Sequence, residues 1–332
     1  MKLLVVGTGS IGRRHARLAR ERAEVAVHDS DGARAQTVAA DLGVMMFTDM
    51  DRALEWRPDA AVVATPHAHH VPIAGQLIEA GCRVLVEKPL ADRMDTETAE
   101  LVEQAGTPVP RLYVVCNMRF HPGPATLNRY LHEIGEPWFA RAHFGQWLPD
   151  MRPQADYRTL YCARSEAGGG VVLDAIHEID YLMWLFGPVR TAGGVTARRS
   201  DLEIDVEDYA AIQLQHDNGV RAEIHLDYLQ ACKRRGCELV GSEGTLLWES
   251  EGADPEHCRV RLFRRDRGDW QTLYESQGVD ADAMYRALLH RFLDASGGEP
   301  PADLLDGRMA LMELAVALAV KNGTALNAGA EG

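Results

Sequence analysis

The chain has 332 residues, 46% apolar and 25% charged, the composition of an ordinary globular protein long enough for two domains. Its formal charge of −14 argues against a nucleic-acid partner, which requires a basic face. The six cysteines (Cys82, Cys116, Cys162, Cys232, Cys237, Cys258) form no CxxC pair and no ligand spacing with histidine, which points away from a disulfide framework and towards the cytoplasm.

The apolar run 3–6 could be taken for the core of a signal peptide, but glycines follow at once and it reads as a buried strand. No apolar run approaches the ~18 residues of a membrane span, so no membrane partner is expected. Helical spacing follows in Ile11, His15, Leu18 and Ala19. A strand at 25–28 leads to a helix capped by Ser30, with Ala35, Val38, Ala39 and Leu42 on one face and Gly43 past its end. Strands at 44–47, 60–65, 83–86 and 112–116 alternate with helices carrying Val71, Ala74, Leu77 and Ile78, and with a helix over 95–105. This alternation predicts a doubly wound parallel sheet, an α/β Rossmann domain over residues 1–118.

Beyond residue 118 the rhythm changes. A helix near 123–133 precedes a strand at 138–146 and a loop at 148–170 rich in arginine and aromatic residues. A single helix is predicted over 173–186. Strands at 209–216 and 220–228 flank Asp217-Asn218-Gly219, a strong hairpin signal. In the second strand Val220, Ala222, Ile224, Leu226 and Tyr228 share one face, and Arg221, Glu223, His225 and Asp227 the other, so that sheet buries one side. Further strands (237–249, 259–265, 270–274) and two helices (280–295, 303–321) complete an α+β second domain, 119–332, whose last helix is able to pack back on the first domain.

Gly7-Thr8-Gly9-Ser10-Ile11-Gly12 joins the first strand to the first helix. Gly7 suits the tight turn, Gly9 the approach of a pyrophosphate, and Gly12 close helix packing, while the helix N-terminus offers amides to phosphate. Asp29 ends the second strand, where a carboxylate accepts from ribose hydroxyls and repels a 2′-phosphate, so NAD is the expected cofactor. Thr65-Pro66-His67-Ala68-His69-His70 ends the fourth strand. Nothing nearby completes a ligand set for its histidines, so no metal is expected, and His67 and His70 are read as capping the next helix or lining the nicotinamide pocket. Glu87-Lys88-Pro89 ends the fifth strand beside the same pocket.

GTGSIGRRH, ATPHAHH and LVEKPLA, in this order, resemble the glucose–fructose oxidoreductase/inositol dehydrogenase (Gfo/Idh/MocA) family. NMRFHP (117–122), GGGVVLDAIHEIDYLMWLFG (168–187) and ELVGSEGTLLWE (238–249) extend the resemblance over the whole chain. It implies a C-terminal domain with a large, open, mainly antiparallel sheet, one side carrying the substrate site and the other commonly an interface, hence a homodimer or homotetramer. It also implies that Lys88, His177 and Asp174 are catalytic. Asp174 lies three residues before His177, where many members have four, which leaves the role of Asp174 less defined.

The chemistry implied is reversible hydride transfer between nicotinamide and a carbinol or keto carbon of a sugar, inositol or nucleotide-sugar-like substrate. An imidazole, with an ordinary pKa of roughly 6.5, suits His177 to accept the hydroxyl proton. A positive Lys88 would stabilise the developing alkoxide, and Asp174 would orient His177 or bind a second hydroxyl. On a continuous helix Asp174, His177 and Tyr181 would share a polar stripe lining a cleft. Arg152, Tyr157, Arg158, Tyr161 and Arg164 of the loop, with Arg119 and Lys233-Arg234-Arg235, are either the candidates for substrate recognition, since arginines clamp carboxylates and phosphates, or solvated surface charges. Alternatives are a glycosidase or epimerase that uses NAD transiently, and a non-catalytic dinucleotide sensor.

Overall fold

The computed structural model describes residues 1–106, 109–295 and 301–327. In chain order the first stretch contains β1 (Lys2–Val6), α1 (Ser10–Ala19), β2 (Glu24–His28), α2 (Gly32–Leu42), β3 (Met45–Phe47), α3 (Met50–Glu55), β4 (Ala60–Val63), α4 (His70–Glu79), β5 (Arg83–Val86), α5 (Thr96–Ala105) and β6 (Leu112–Val114). The middle contains α6 (Pro122–Tyr130), β7 (Pro137–Gly145), α7 (Leu148–Met151), α8 (Val171–Asp174), α9 (His177–Phe186) and β8 (Val189–Ala197). The strands β9 (Tyr209–His216), β10 (Arg221–Asp227), β11 (Arg234–Gly241), β12 (Gly244–Glu251), β13 (His257–Arg264) and β14 (Asp269–Ser276) follow. Last come α10 (Ala281–Asp294), β15 (Leu305–Asp306), α11 (Gly307–Lys321) and β16 (Leu326–Asn327).

These elements form two compact units, Met1–Asn117 with Ala281–Leu314, and Met118–Asp280 with the residues from Ala315 on. In the first unit the sheet order is β15-β6-β5-β4-β1-β2-β3, parallel except for β15. Leu3–Val6, Ala60–Val63 and Val84–Val86 are all fully buried, as central strands covered by helices on both faces must be. The cap of α2 is Asp31, one residue after the Ser30 expected, and its carboxylate accepts from the Ala33 and Arg34 amides.

The second domain is not the uninterrupted 119–332 of the sequence reading, because 281–314 belongs to the first unit. Asp282 of α10 pairs with Arg14 and Arg17 of α1, Arg286 with Glu21, and Leu288, Leu289 and Phe292 are fully buried. An amphipathic helix declares in its sequence that it has a buried face, but not which core will take it. The expected helix at 303–321 starts later, at Gly307. Leu305 and Asp306 first pair with β6, and the Asp306 carboxylate then accepts from the Arg308 and Met309 amides.

The second unit is built on a nine-stranded sheet, β14-β13-β12-β11-β7-β10-β9-β8-β16, antiparallel except where β7 meets β10. The Asp217-Asn218-Gly219 turn joins β9 to β10, with Gly219 at φ +89°. The expected alternation holds along β10, with Val220, Ala222, Ile224, Leu226 and Tyr228 buried, except that Asp227 is buried too. Its carboxylate accepts from the Leu229 and Gln230 amides, Gln230 Nε2 and His225, which compensates for its burial. One face of the sheet is packed by α6, α8 and α9.

Candidate active site

In the first unit the functional residues gather beyond the C-terminal ends of the parallel strands, where open α/β sheets bind their ligands. The three glycines of the first turn have different reasons to be there. Gly7 sits at φ +91°, and a Cβ on Gly12 would lie 1.8 Å from the Gly7 carbonyl oxygen. Gly9 has an ordinary extended backbone, and a Cβ there would meet no protein atom within 4 Å. The fold's own packing therefore does not require glycine at position 9, but a phosphate lying against the backbone does. Ser10 and Ile11 open α1 and present its first amides at that point.

Asp29, nearly buried, lies beneath this turn. Its Oδ2 accepts from the Thr8 amide (2.8 Å) and Thr8 Oγ1 (2.7 Å), and its Oδ1 from the Asp31 amide (3.0 Å). Burial opposes its charge, but the Thr8 and Asp31 hydrogen bonds and the nearby Arg34 outweigh it, and the carboxyl is held below its ordinary value. The residue thus braces the glycine turn. Thr65 Oγ1 is buried and makes no hydrogen bond among the described residues, which leaves a polar atom for a ligand to satisfy. Gly9, the α1 amides, Asp29 and Thr65 together fit a dinucleotide.

These contacts give a direct expectation for Asp29→Ala. Hydrogen bonds to a charged group contribute about 1.5–3 kcal/mol, so NAD affinity should fall by roughly 10–100-fold. NADP affinity should rise relative to NAD, because the exposed Arg34 guanidinium, 3.7 Å from Asp29, loses its opposing charge. Calorimetric titration of both cofactors tests this. NADP binding to the wild type as strong as NAD would contradict the assignment.

Pro66 is exposed and His67 half-buried on the turn after β4. His70, the first residue of α4, is fully buried, with Nδ1 and Nε2 each 2.9 Å from a backbone carbonyl, those of Pro89 and Thr65. Burial outweighs the carbonyls and lowers its pKa, which favours the neutral ring, whose single N–H donates to one of the two carbonyls. His70 is wholly buried between these two turns. Glu87 is bonded to His15 and to the Lys88 amide. Lys88 is half-buried at the end of β5.

In the second unit α8 and α9 replace the single helix expected over 173–186, and the break falls at Ala175-Ile176. Every residue from Val171 to Met183 is buried except Asp174 and His177. Asp174 accepts hydrogen bonds from the hydroxyls of Tyr161 and Tyr228, the latter at 3.2 Å. Burial raises both phenol pKa values well above the ordinary range, with the Asp174 charge adding to it, so both remain protonated donors. The turn before α8 has no room for side chains: a Cβ on Gly169 would lie 2.5 Å from the Tyr161 carbonyl oxygen, and one on Gly170 2.2 Å from Glu207. Glu207 accepts from the Val172 amide and pairs with Lys321, fixing the start of α8.

Tyr181, expected on a polar stripe with Asp174 and His177, is fully buried edge-on against Trp248. Two candidate arginines are paired with buried carboxylates. Arg119 grips Asp180 (2.6 and 2.9 Å), and Arg235 grips Glu178 with two hydrogen bonds (2.6 and 3.0 Å). Lys233 pairs with Glu256. In the loop, Arg158 bonds Asp156 and Glu203, Tyr157 Oη accepts from the Glu203 amide, and Arg164 donates to the Arg158 carbonyl. The Arg152 side chain is exposed, with no hydrogen bond or ion pair among the described residues. Tyr228 and Glu207 escaped the sequence reading. A tyrosine on a buried strand face was the one available signal, since its hydroxyl requires a partner.

Comparison with known proteins gives the family. The profile of the oxidoreductase family with an NAD-binding Rossmann fold, GFO/IDH/MocA, matches residues 1–109, and that of the GFO/IDH/MocA C-terminal domain matches residues 131–247. Inositol 2-dehydrogenase 4 of Saccharopolyspora erythraea is 31% identical over 331 residues, covering 92% of this chain and 89% of that protein. The chain belongs to the Gfo/Idh/MocA family.

This Gfo/Idh/MocA protein is thus an NAD-dependent oxidoreductase, as its glycine turn and Asp29 had suggested, and not a non-catalytic sensor. The 1,5-anhydro-D-fructose reductase of Ensifer adhaerens is 28% identical, with 82% of this chain and 79% of that protein covered. Among solved structures, an oxidoreductase from Agrobacterium radiobacter in complex with NAD+, L-tartaric acid and magnesium has a TM-score of 0.83 at 20% identity, with 99% of each chain covered. The two-unit fold, with its parallel and its mostly antiparallel sheet, is the family's. Among the described residues no helix is long and apolar enough to cross a membrane.

Proposed function

We propose that the protein transfers a hydride between NAD and a carbinol or keto carbon of a sugar, inositol or nucleotide-sugar-like substrate. The observation that carries this reading is the pair Asp174 and His177, the two half-buried residues in an otherwise buried stretch of thirteen. NAD, when bound, supplies the hydride chemistry. His177, at the start of α9, accepts the hydroxyl proton during oxidation and returns it during reduction. Lys88 holds the substrate oxygen and stabilises negative charge developing there. Asp174, fixed by two tyrosine hydroxyls, sets the turn that presents His177. Arg152 is the loop arginine left to meet an anionic substituent, since Arg158 is engaged by Asp156 and Glu203 and Arg164 by the Arg158 carbonyl. The relatives named as acting on inositol and 1,5-anhydro-D-fructose support a cyclic polyol or sugar.

The sheet face opposite α6, α8 and α9 carries crossed charges, Arg141 with Glu223 and Glu238, and Arg259 and Arg261 with Glu249. A face of alternating charge can complement a second copy of itself, which supports a homodimer or homotetramer assembled through it.

The test is a panel containing myo-inositol, other inositols, free sugars, sugar acids and nucleotide sugars, each with NAD, followed by absorbance of the reduced nicotinamide. Turnover of at least one cyclic polyol or sugar is expected, and Arg152→Ala should weaken any preference for acidic members. A protein that reduces NAD with none of them, while binding NAD, would sink the proposal.

A further inference from the structure

His15 is a buried ionisable group that the hydride-transfer reading leaves unused. It lies on α1, the helix whose first amides meet the dinucleotide, and it is wholly inaccessible to solvent. Its Nε2 is 2.7 Å from Glu87 Oε1, and Glu87 Oε2 accepts the Lys88 amide at 3.2 Å. Tyr285 packs edge-on against the His15 ring at 5.4 Å, and Arg14 lies over Tyr285. Burial would raise the Glu87 pKa, but the His15 hydrogen bond, with help from the Lys88 charge and amide, pulls it below its ordinary value. The carboxylate is therefore held charged in a nearly dry setting. Such a pair is expensive, and apolar residues of the same volume are often at least as stable there. General stability does not explain it.

Its placement does. Lys88 has Glu87 on one side, tied by its side chain to α1 through His15. On the other side is Pro89, whose carbonyl is 2.9 Å from His70 of α4. We infer that His15 and Glu87, with His70 on the far side, are positioning residues that clamp the Glu87-Lys88-Pro89 turn and so aim the Lys88 ammonium at the reacting oxygen. The inference rests on the proposed role of Lys88. The clamp joins the helix that meets the cofactor to the residue that meets the substrate. Misplacement by about 1 Å of a group at the reacting centre can cost on the order of 10²-fold in rate, so even a loosened turn is measurable.

The test compares Glu87→Gln and His15→Phe, each made in the wild type and in Lys88→Ala, using the panel member turned over fastest. Gln keeps the shape and an acceptor oxygen without the charge, and Phe keeps the ring against Tyr285. Each should lower kcat by about 10-fold or more with KM and NAD affinity near wild type. Hydrogen exchange of the peptide spanning 84–90, measured without substrate, should accelerate in both. In the Lys88→Ala background the same substitutions should cost less than about twofold, because residues acting through a removed group are no longer felt. An equal kcat penalty in both backgrounds overturns the clamp while leaving the role of Lys88 standing. Near wild-type turnover by Lys88→Ala overturns that role and the clamp with it. If His15→Phe does not fold, the Glu87→Gln pair decides by the same criterion.

Discussion

Replacing His177 by alanine is expected to lower kcat by roughly 10²–10⁴, the usual loss for a positioned proton acceptor, and to remove the acid limb of the pH profile for alcohol oxidation. The sign follows from the proton's path. Below its pKa the imidazole already carries a proton and cannot take one from the substrate hydroxyl, so oxidation by the wild type slows as pH falls. Without the imidazole that limb has no source. In the reductive direction the requirement reverses, because the protonated ring must donate, and the wild-type rate should then fall on the alkaline side. NAD affinity should be unaffected, since Gly7, Gly9, Gly12 and Asp29 belong to the other unit. Asp174→Asn should be milder, as one acceptor oxygen survives for the two tyrosines. Steady-state kinetics across pH, with cofactor affinity measured separately, checks each part. A His177→Ala enzyme with near-normal kcat and an intact acid limb would place the base elsewhere.

Lys88→Ala should cost about 10²–10³ in kcat, the typical loss when one preorganised donor to a developing oxyanion is removed. The penalty should fall on kcat and kcat/KM together, because the alkoxide charge exists in the transition state and not in the bound alcohol. It should not flatten the acid limb, and that separates its role from that of His177. Lys88→Arg would keep the charge but carry it on a longer, planar group, so it should restore only part of the rate. If Lys88→Ala instead abolished the pH dependence, leaving His177→Ala nearly intact, Lys88 would be the base and His177 the accessory group.

The dinucleotide end of the site was legible in the sequence because its constraints are local. A strand, a glycine turn and a helix follow one another within twelve residues, and Asp29 ends the adjacent strand. The alternation in β10 and the Asn-Gly hairpin before it were legible for the same reason. Partnerships across distance were not. Glu178 and Asp180 are buried because Arg235 and Arg119, 57 and 61 residues away, neutralise them, and nothing in the local pattern announces those partners. The same pairing ties Arg119 and Arg235 to these carboxylates. The break at Ala175-Ile176 hides in apolar residues that would suit a continuous helix. It follows from Asp174 being held by Tyr161 and Tyr228, one on the loop and one from the sheet. Strand β8 carries Gly193-Gly194, which weakens its β signal, and was not foreseen. A Cβ on Gly194 would lie 2.5 Å from the Ala211 carbonyl oxygen of the neighbouring strand, so the glycine is required by a contact that only the folded sheet reveals.

The central claim is net hydride transfer from a carbinol to NAD, and the stoichiometry of a single reaction tests it most directly. A panel substrate is mixed with excess NAD, the substrate consumed is quantified by chromatography, and the reduced nicotinamide is read by absorbance in the same sample. Here one reduced nicotinamide should form for each substrate converted to the keto product, with no conversion when NAD is removed. Substrate consumed to an epimer or a cleaved sugar while no reduced nicotinamide accumulates would contradict it, and would make the cofactor a transient carrier.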